Sequence, residues 1–293
     1  MAEAISSEQN SRFQLWRRVA SSARDRRQTG LIWLEGQRLV DEGLDALARQ
    51  PQRVPESALL VRAGGPNSGQ ALQGRLAGLQ LDPLSVFALD ERLWGRISQV
   101  EQPQGIALVM PRPEPTQTLA AQLAQDAPWS DWVVLDGLQD PGNVGSLLRA
   151  AAASGVSRIV LLRGTAEAFS PKALRAGMGA QFRLQIWEGL SREDWIEQSI
   201  SQGVLNLLTL APQAGRTRSI WAIPELAVAN RLAWIMGQEG DGLHPDWVSQ
   251  SEALRLTIPQ SAGLESLNVT TAAAVCLFER ARLRSLAQET PQP

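Results

Sequence analysis

Three short stretches gather the polar side chains and glycines from which a reactive site can be built. In DPGNVGSLLR, Asp140, Pro141 and Gly142 read as a turn, Asn143 as the cap of the helix that follows, and Gly145 as a point of close approach. Arg149 follows Asn143 by six residues, under two turns along that helix. In MGQEGDGLHP, Gly237, Gly240 and Gly242 directly follow an apolar run and wrap Glu239, so that a carboxylate can be aimed at a ligand that meets backbone. In IPQSAGLESLNV, Pro259 and Gly263 shape an irregular loop, Glu265 or Ser266 opens a helix, and Asn268 falls in its first turn.

What is missing narrows the chemistry. The chain has one Cys (Cys276), one His (His244) and no Tyr, which excludes a disulfide framework, a Cys/His zinc cluster and any Ser-His-Asp triad not built on His244. Cys276 sits on an apolar helical stretch and reads as a core thiol, and His244 as a surface or helix-capping residue. No metal site is expected. The Gly-rich loop lacks the Lys-Ser/Thr pair of a phosphate loop and the spacing of a dinucleotide fingerprint.

Such loops must be held by a scaffold. The 293 residues are enough for two domains, and 44% hydrophobic with 20% charged residues is ordinary globular composition. Strand-like and helix-like segments alternate through both halves, implying an α/β fold whose second half is a largely parallel sheet covered on both faces. PRPEPTQ is the best linker. The expected organisation is therefore a first domain over residues 1–110 with a frayed start at 1–10, a linker at 111–127, and a second domain over 128–293. No apolar run reaches a membrane span or a signal-peptide core, so no membrane partner and a reducing, cytoplasmic setting are expected.

Net charge is −2, yet all basic residues but Lys172 are Arg, and Arg12, Arg17, Arg18, Arg24, Arg26, Arg27, Arg38 and Arg49 crowd the first fifty positions. Arg grips phosphate in a bidentate fork, so this cluster is a candidate phosphate-binding field. The ten Trp read mostly as core anchors rather than base-stacking residues, with Trp16 and Trp33, near the Arg cluster, as the two worth testing for stacking.

In that order, DPGNVGSLLR, IMGQEGDGL and IPQSAGLESLNVTTAAAVCLFE resemble the three motifs of the SpoU/TrmH branch of the SPOUT RNA methyltransferases. RRQTGLIWLEGQRLVDEGL and PQGIALV resemble the opening and closing signatures of that family's substrate-binding domain, whose fold is like a ribosomal protein's. The resemblance implies S-adenosylmethionine as methyl donor, a ribose 2′-hydroxyl of ribosomal or, second, transfer RNA as acceptor, a homodimer, and a trefoil knot in the second domain. It implies cofactor contacts at Thr209, Leu210, Gly237, Glu239, Gly242, Ile258, Leu267 and Asn268. It also implies a catalytic set of Arg149, Asn143, Glu239, Ser266 and Asn268, with Arg149 on the ribose and its phosphate. Arg24, Arg26, Arg27 and Arg38 are the RNA-gripping candidates of the first domain. A ribose oxygen is itself the nucleophile in such a transfer, so the depleted Cys and His inventory is compatible with it. The alternatives are a non-catalytic RNA-binding or ribosome-assembly protein of the same fold and a nucleotide-binding α/β enzyme.

Overall fold

The structure, a computed structural model, describes residues 2–66, 70–125, 129–209, 217–223, 225–238, 242–250, 253–261 and 266–289. The chain divides into two compact units, Met1–Pro113 with Phe169–Phe182, and Glu114–Ala168 with Arg183–Pro293.

In the first unit, Asn10 caps helix α1 (Ser11–Ser21) by accepting from the backbone N–H groups of Arg12 and Phe13. Ser22 then caps a separate helix α2 (Ala23–Thr29), and Gly30, at φ +68°, ends it. The helix-like run FQLWRRVASSARDRR is thus two helices, because a Ser side chain that caps the second one leaves its own residue extended. The sheet is ordered β1 (Glu3–Ile5), β4 (Ser85–Leu89), β3 (Ala58–Arg62), β5 (Ile106–Pro111), β2 (Leu31–Glu35), with β5 antiparallel to both neighbours. Residues 3–5, expected to be frayed, pair in parallel with β4 and bury Ile5, held further by the ion pair of Glu3 with Arg12 at 3.1 Å. Phe13, Trp16 and Val19 of α1 pack on Trp33 and Phe87. Helix α3 (Gln37–Arg49) buries Leu39, Val40, Leu44 and Leu47, and a Cβ on its Gly43 would lie 2.5 Å from Leu34.

The second unit is a seven-stranded, wholly parallel sheet. Its order is β10 (Arg218–Ser219), β12 (Leu254–Thr257), β9 (Leu205–Thr209), β11 (Leu232–Met236), β6 (Trp132–Leu135), β7 (Arg158–Leu162), β8 (Gln185–Leu190). All five residues of β11 are buried, as a central parallel strand covered on both faces demands. One face packs Trp132, Val134, Val160, Leu208 and Ile235 on Trp195 of α9 (Arg192–Ser201) and Trp247 of α11 (Pro245–Val248). Helices α7 (Pro141–Ala153) and α12 (Val269–Glu289) pack on each other, and α12 also meets β11. The edge strands β8 and β10 carry too few buried residues to give a strand pattern in sequence. Short helices α6 (Leu119–Leu123) and α10 (Glu225–Val228) complete this unit, and α8 (Pro171–Gly177) belongs by packing to the first.

Candidate functional site

The register sets three strand ends level. Leu256 of β12 pairs with Thr209 of β9, and Leu208 of β9 pairs with Ile235 of β11. Because the strands are parallel, their carboxyl ends emerge on one edge, where ligands of open α/β sheets bind. There the chain encloses a cavity of about 400 Å3 lined by Thr209, Gly237, Gly242, Ile258, Ser266, Leu267 and Asn268, all singled out by the sequence. Met236, Gln238, Leu243, Gln260, Val269 and Ala272 also line it. They carry no chemical signal in the sequence, and only the strand ends bring them together. The Gln260 side-chain oxygen is buried without a hydrogen-bond partner among the described residues. Leu210 and Glu239 lie outside the described residues.

Close backbone approach explains the glycines here. Gln238 and Gly242 form a two-way bridge, each N–H donating to the other's carbonyl at 3.0 Å. A Cβ on Gly237 would sit 2.5 Å from the Gly242 carbonyl oxygen, so no larger residue fits without moving backbone. Gly242 itself has φ +72°.

The two helices at this end start differently from the sequence reading. Asp140, not Asn143, caps α7, accepting the Gly142 N–H at 2.6 Å, while Pro141 is its first helical residue. Asn143 is one turn inside, and the Thr270 hydroxyl approaches both its backbone and side-chain oxygens at 3.5 Å. Helix α12 begins at Val269, later than Glu265 or Ser266, and the Asn268 side chain caps it by accepting from Thr270 N–H at 2.9 Å and Thr271 N–H at 3.4 Å. The N-termini of α7 and α12 therefore meet through Asn143 and Thr270. Arg149 does not line the cavity. Six residues from Asn143, it stands about 9 Å further along α7 and about 120° around it, exposed.

A buried carboxylate that sequence reasoning did not single out fixes the neighbouring loops. Asp136, just after β6, accepts from Arg192 Nε at 2.8 Å and Nη2 at 3.2 Å, and from Trp247 Nε1 at 2.7 Å. Its only signal is an Asp closing the apolar run WVVL. Burial disfavours the Arg192 cation, but its bonds to Asp136 and Asp246 outweigh that and raise its pKa. His244 caps α11, accepting the Asp246 N–H at 3.4 Å. Cys276 lies beneath the cavity wall, 3.9 Å from the Thr209 hydroxyl, and burial pushes its thiol up to about 12. It is no nucleophile.

In the first unit, Arg24 and Arg27 of α2 and Arg38 of α3 are exposed. Arg26 is half-buried and donates to the Val19 carbonyl at 3.0 Å, tying α2 to α1. Trp16 and Trp33, the tryptophans near the Arg cluster, are 4% and 0% exposed and are core anchors like most of the others. Among the described residues no group of three or more His, Cys, Asp or Glu is placed to hold a metal ion.

The chain is similar over most of its length to known RNA methyltransferases. It is 27% identical to the 23S rRNA (guanosine(2553)-2′-O)-methyltransferase RlmP of Bacillus subtilis over 94% of this chain and 97% of that one. It is 29% identical to the mitochondrial rRNA methyltransferase 3A of Danio rerio over 90% of this chain and 67% of that one. Its fold matches the AdoMet-bound rRNA methyltransferase of Sinorhizobium meliloti with a TM-score of 0.76, at 24% identity, over 96% of this chain and 98% of that one. With residues 132–278, from the strand β6 to the middle of α12, matching the family's pattern, the chain belongs to the SpoU rRNA Methylase family.

Proposed function

We propose that this protein transfers a methyl group from S-adenosylmethionine to a ribose 2′-hydroxyl of ribosomal RNA. The observation that carries the reading is the cavity in which the ends of β9, β11 and β12 converge on the N-terminus of α12. Family membership and the 2′-O-methyltransferase named among its relatives support it.

The residues present fit the donor. A volume of about 400 Å3 lies within the usual range for small-molecule sites. The walls bring backbone at Gly237, Ile258 and Leu267 to the cavity, and the Gln260 oxygen, unpaired among the described residues, can accept from a ligand donor. When bound, S-adenosylmethionine supplies a methyl electrophile on a sulfonium. The chain's task is to seat the RNA and ready a weakly acidic hydroxyl. Arg149, exposed and with no hydrogen-bond or ion-pair partner among the described residues, clamps the phosphate and polarises the ribose oxygen. A guanidinium keeps its proton, so this role is electrostatic rather than that of a base. Asn143, Glu239, Ser266 and Asn268 complete the pocket around the ribose.

The reading extends to a homodimer formed through the second unit, a trefoil-knotted path in that unit, transfer RNA as the second-ranked substrate, and work in the cytoplasm. Arg24, Arg27 and Arg38 supply a salt-dependent grip on RNA from the first unit. Arg26, already bonded to a carbonyl, contributes mainly charge.

The test is transfer of labelled methyl from S-adenosylmethionine into ribosomal RNA lacking the modification, for the wild type and Arg149→Ala, with mapping of alkali-resistant linkages. Label at one ribose, lost in the variant, is expected. RNA binding without incorporation by the wild type would favour the non-catalytic reading.

A further inference from the structure

Of the ten tryptophans, nine are buried or half-buried, and Trp221 alone is exposed, at 55%. A single exposed apolar residue is commonplace, but the place of this one is specific. It belongs to a 3-10 turn, Ile220–Ala222, that directly continues the edge strand β10. In β10, Ser219 pairs with Thr257 of β12, the residue before Ile258 of the cavity wall. The turn thus leaves the sheet at the same carboxyl edge as the cavity. It lies about 5 Å from the β12 end and about 15 Å from that of β11, three strands in.

The turn is also fixed. Ile220 is 1% exposed and anchors it, and the Ser219 hydroxyl caps it by accepting the Trp221 N–H at 3.3 Å. An indole on an anchored turn offers a flat apolar face at little entropic cost. Arg218 of the edge strand β10 and Arg255 of its neighbour β12 are the basic residues of these two strands. An exposed aromatic face held at the same sheet edge as a binding cavity is a surface on which an unpaired base can stack.

We propose that Trp221 is a stacking platform for an unpaired nucleobase of the RNA substrate, next to the nucleotide whose ribose is presented to the cavity. The inference rests on the RNA methyltransferase reading and deepens it. Target nucleotides are then reached in single-stranded loops, since a duplex keeps its bases stacked on one another.

The experiment measures binding of full-length protein to a short fluorescein-labelled oligouridylate and to its duplex with oligoadenylate, beside S-adenosylmethionine affinity by calorimetry and mass by light scattering. Trp221→Ala weakens oligouridylate binding about ten-fold, Trp221→Phe keeps it within about two-fold, and duplex and donor affinities do not change. Equal oligouridylate affinity for wild type and Trp221→Ala overturns the inference and leaves the methyltransferase reading standing. A fall in mass for Trp221→Ala also overturns it, making Trp221 a contact between two copies of the chain. Wild type that binds neither RNA removes the functional reading, and this inference with it.

Discussion

Arg280 of α12 and Asp131, which leads into β6, form a two-pronged ion pair, Nε to Oδ2 at 2.8 Å and Nη2 to Oδ1 at 3.0 Å, with the side chains 1% and 0% exposed. Arg280 also donates to the Leu226 and Ala229 carbonyls and lies over the Trp129 ring at 4.1 Å. It fastens the helix whose first turn lines the cavity to the middle of the sheet. Breaking a buried pair leaves an uncompensated charge, so Arg280→Ala should lower stability by about 3–5 kcal/mol. Urea unfolding read on the second unit checks this, and Asp131→Asn combined with Arg280→Ala should cost less than the sum of the two single changes.

Gly237→Ala tests the seam at the cavity wall. Its new methyl would meet the Gly242 carbonyl, which is backbone and cannot swing aside. The expected result is a loss of about 1–3 kcal/mol with a folded protein, together with a drop of ten-fold or more in S-adenosylmethionine affinity by calorimetry. Unchanged affinity would show that the Gln238–Gly242 bridge relaxes without disturbing the site.

Arg149→Lys separates planar recognition from bare charge. A lysine keeps the charge but lacks the bidentate fork. Methyl transfer should stay at least about 100-fold below wild type, a loss in the range seen when one electrostatic donor is removed. Thermal stability and donor affinity should match wild type, since Arg149 is exposed and lines no part of the cavity.

Cys276 gives a pH signature. Its thiol is held near 12 in the folded chain against an ordinary 9.0, so between those values the unfolded chain has released a proton that the folded one keeps. Stability therefore falls as pH rises from 9 toward 12, by at most about 1.4 kcal/mol per pH unit. With no Tyr and only Lys172 as lysine, little else titrates there. Cys276→Ala should flatten the slope in urea titrations at stepped pH.

The sequence was informative where a residue type has few uses. Glycines after an apolar strand marked the Gly237–Gly242 seam, and the continuous LAWIM run marked a central parallel strand. It misled where several residues compete for one role. Asp and Asn are both helix-capping residue types, and the Pro at the first helical position selects Asp140 over Asn143. The three residues 3–5 are too few to show a period, and Trp16 and Trp33 carry the same letter as Trp221 although they are core and it is not. Asp136 gives no sign in the sequence of the arginine and indole that converge on it.

The pair of Arg280 with Asp131 joins residues 149 positions apart. The last described helix closes the cavity, which takes one wall from residues near 209 and another from residues 266–272. Contacts so distant in the chain form late, after the loops between them have been closed. During synthesis, competence to bind a ligand thus arrives in one step, once α12 has been made. A nascent chain that already carries its Gly-rich loop but not α12 has no pocket to fill, and so cannot yet sequester the donor.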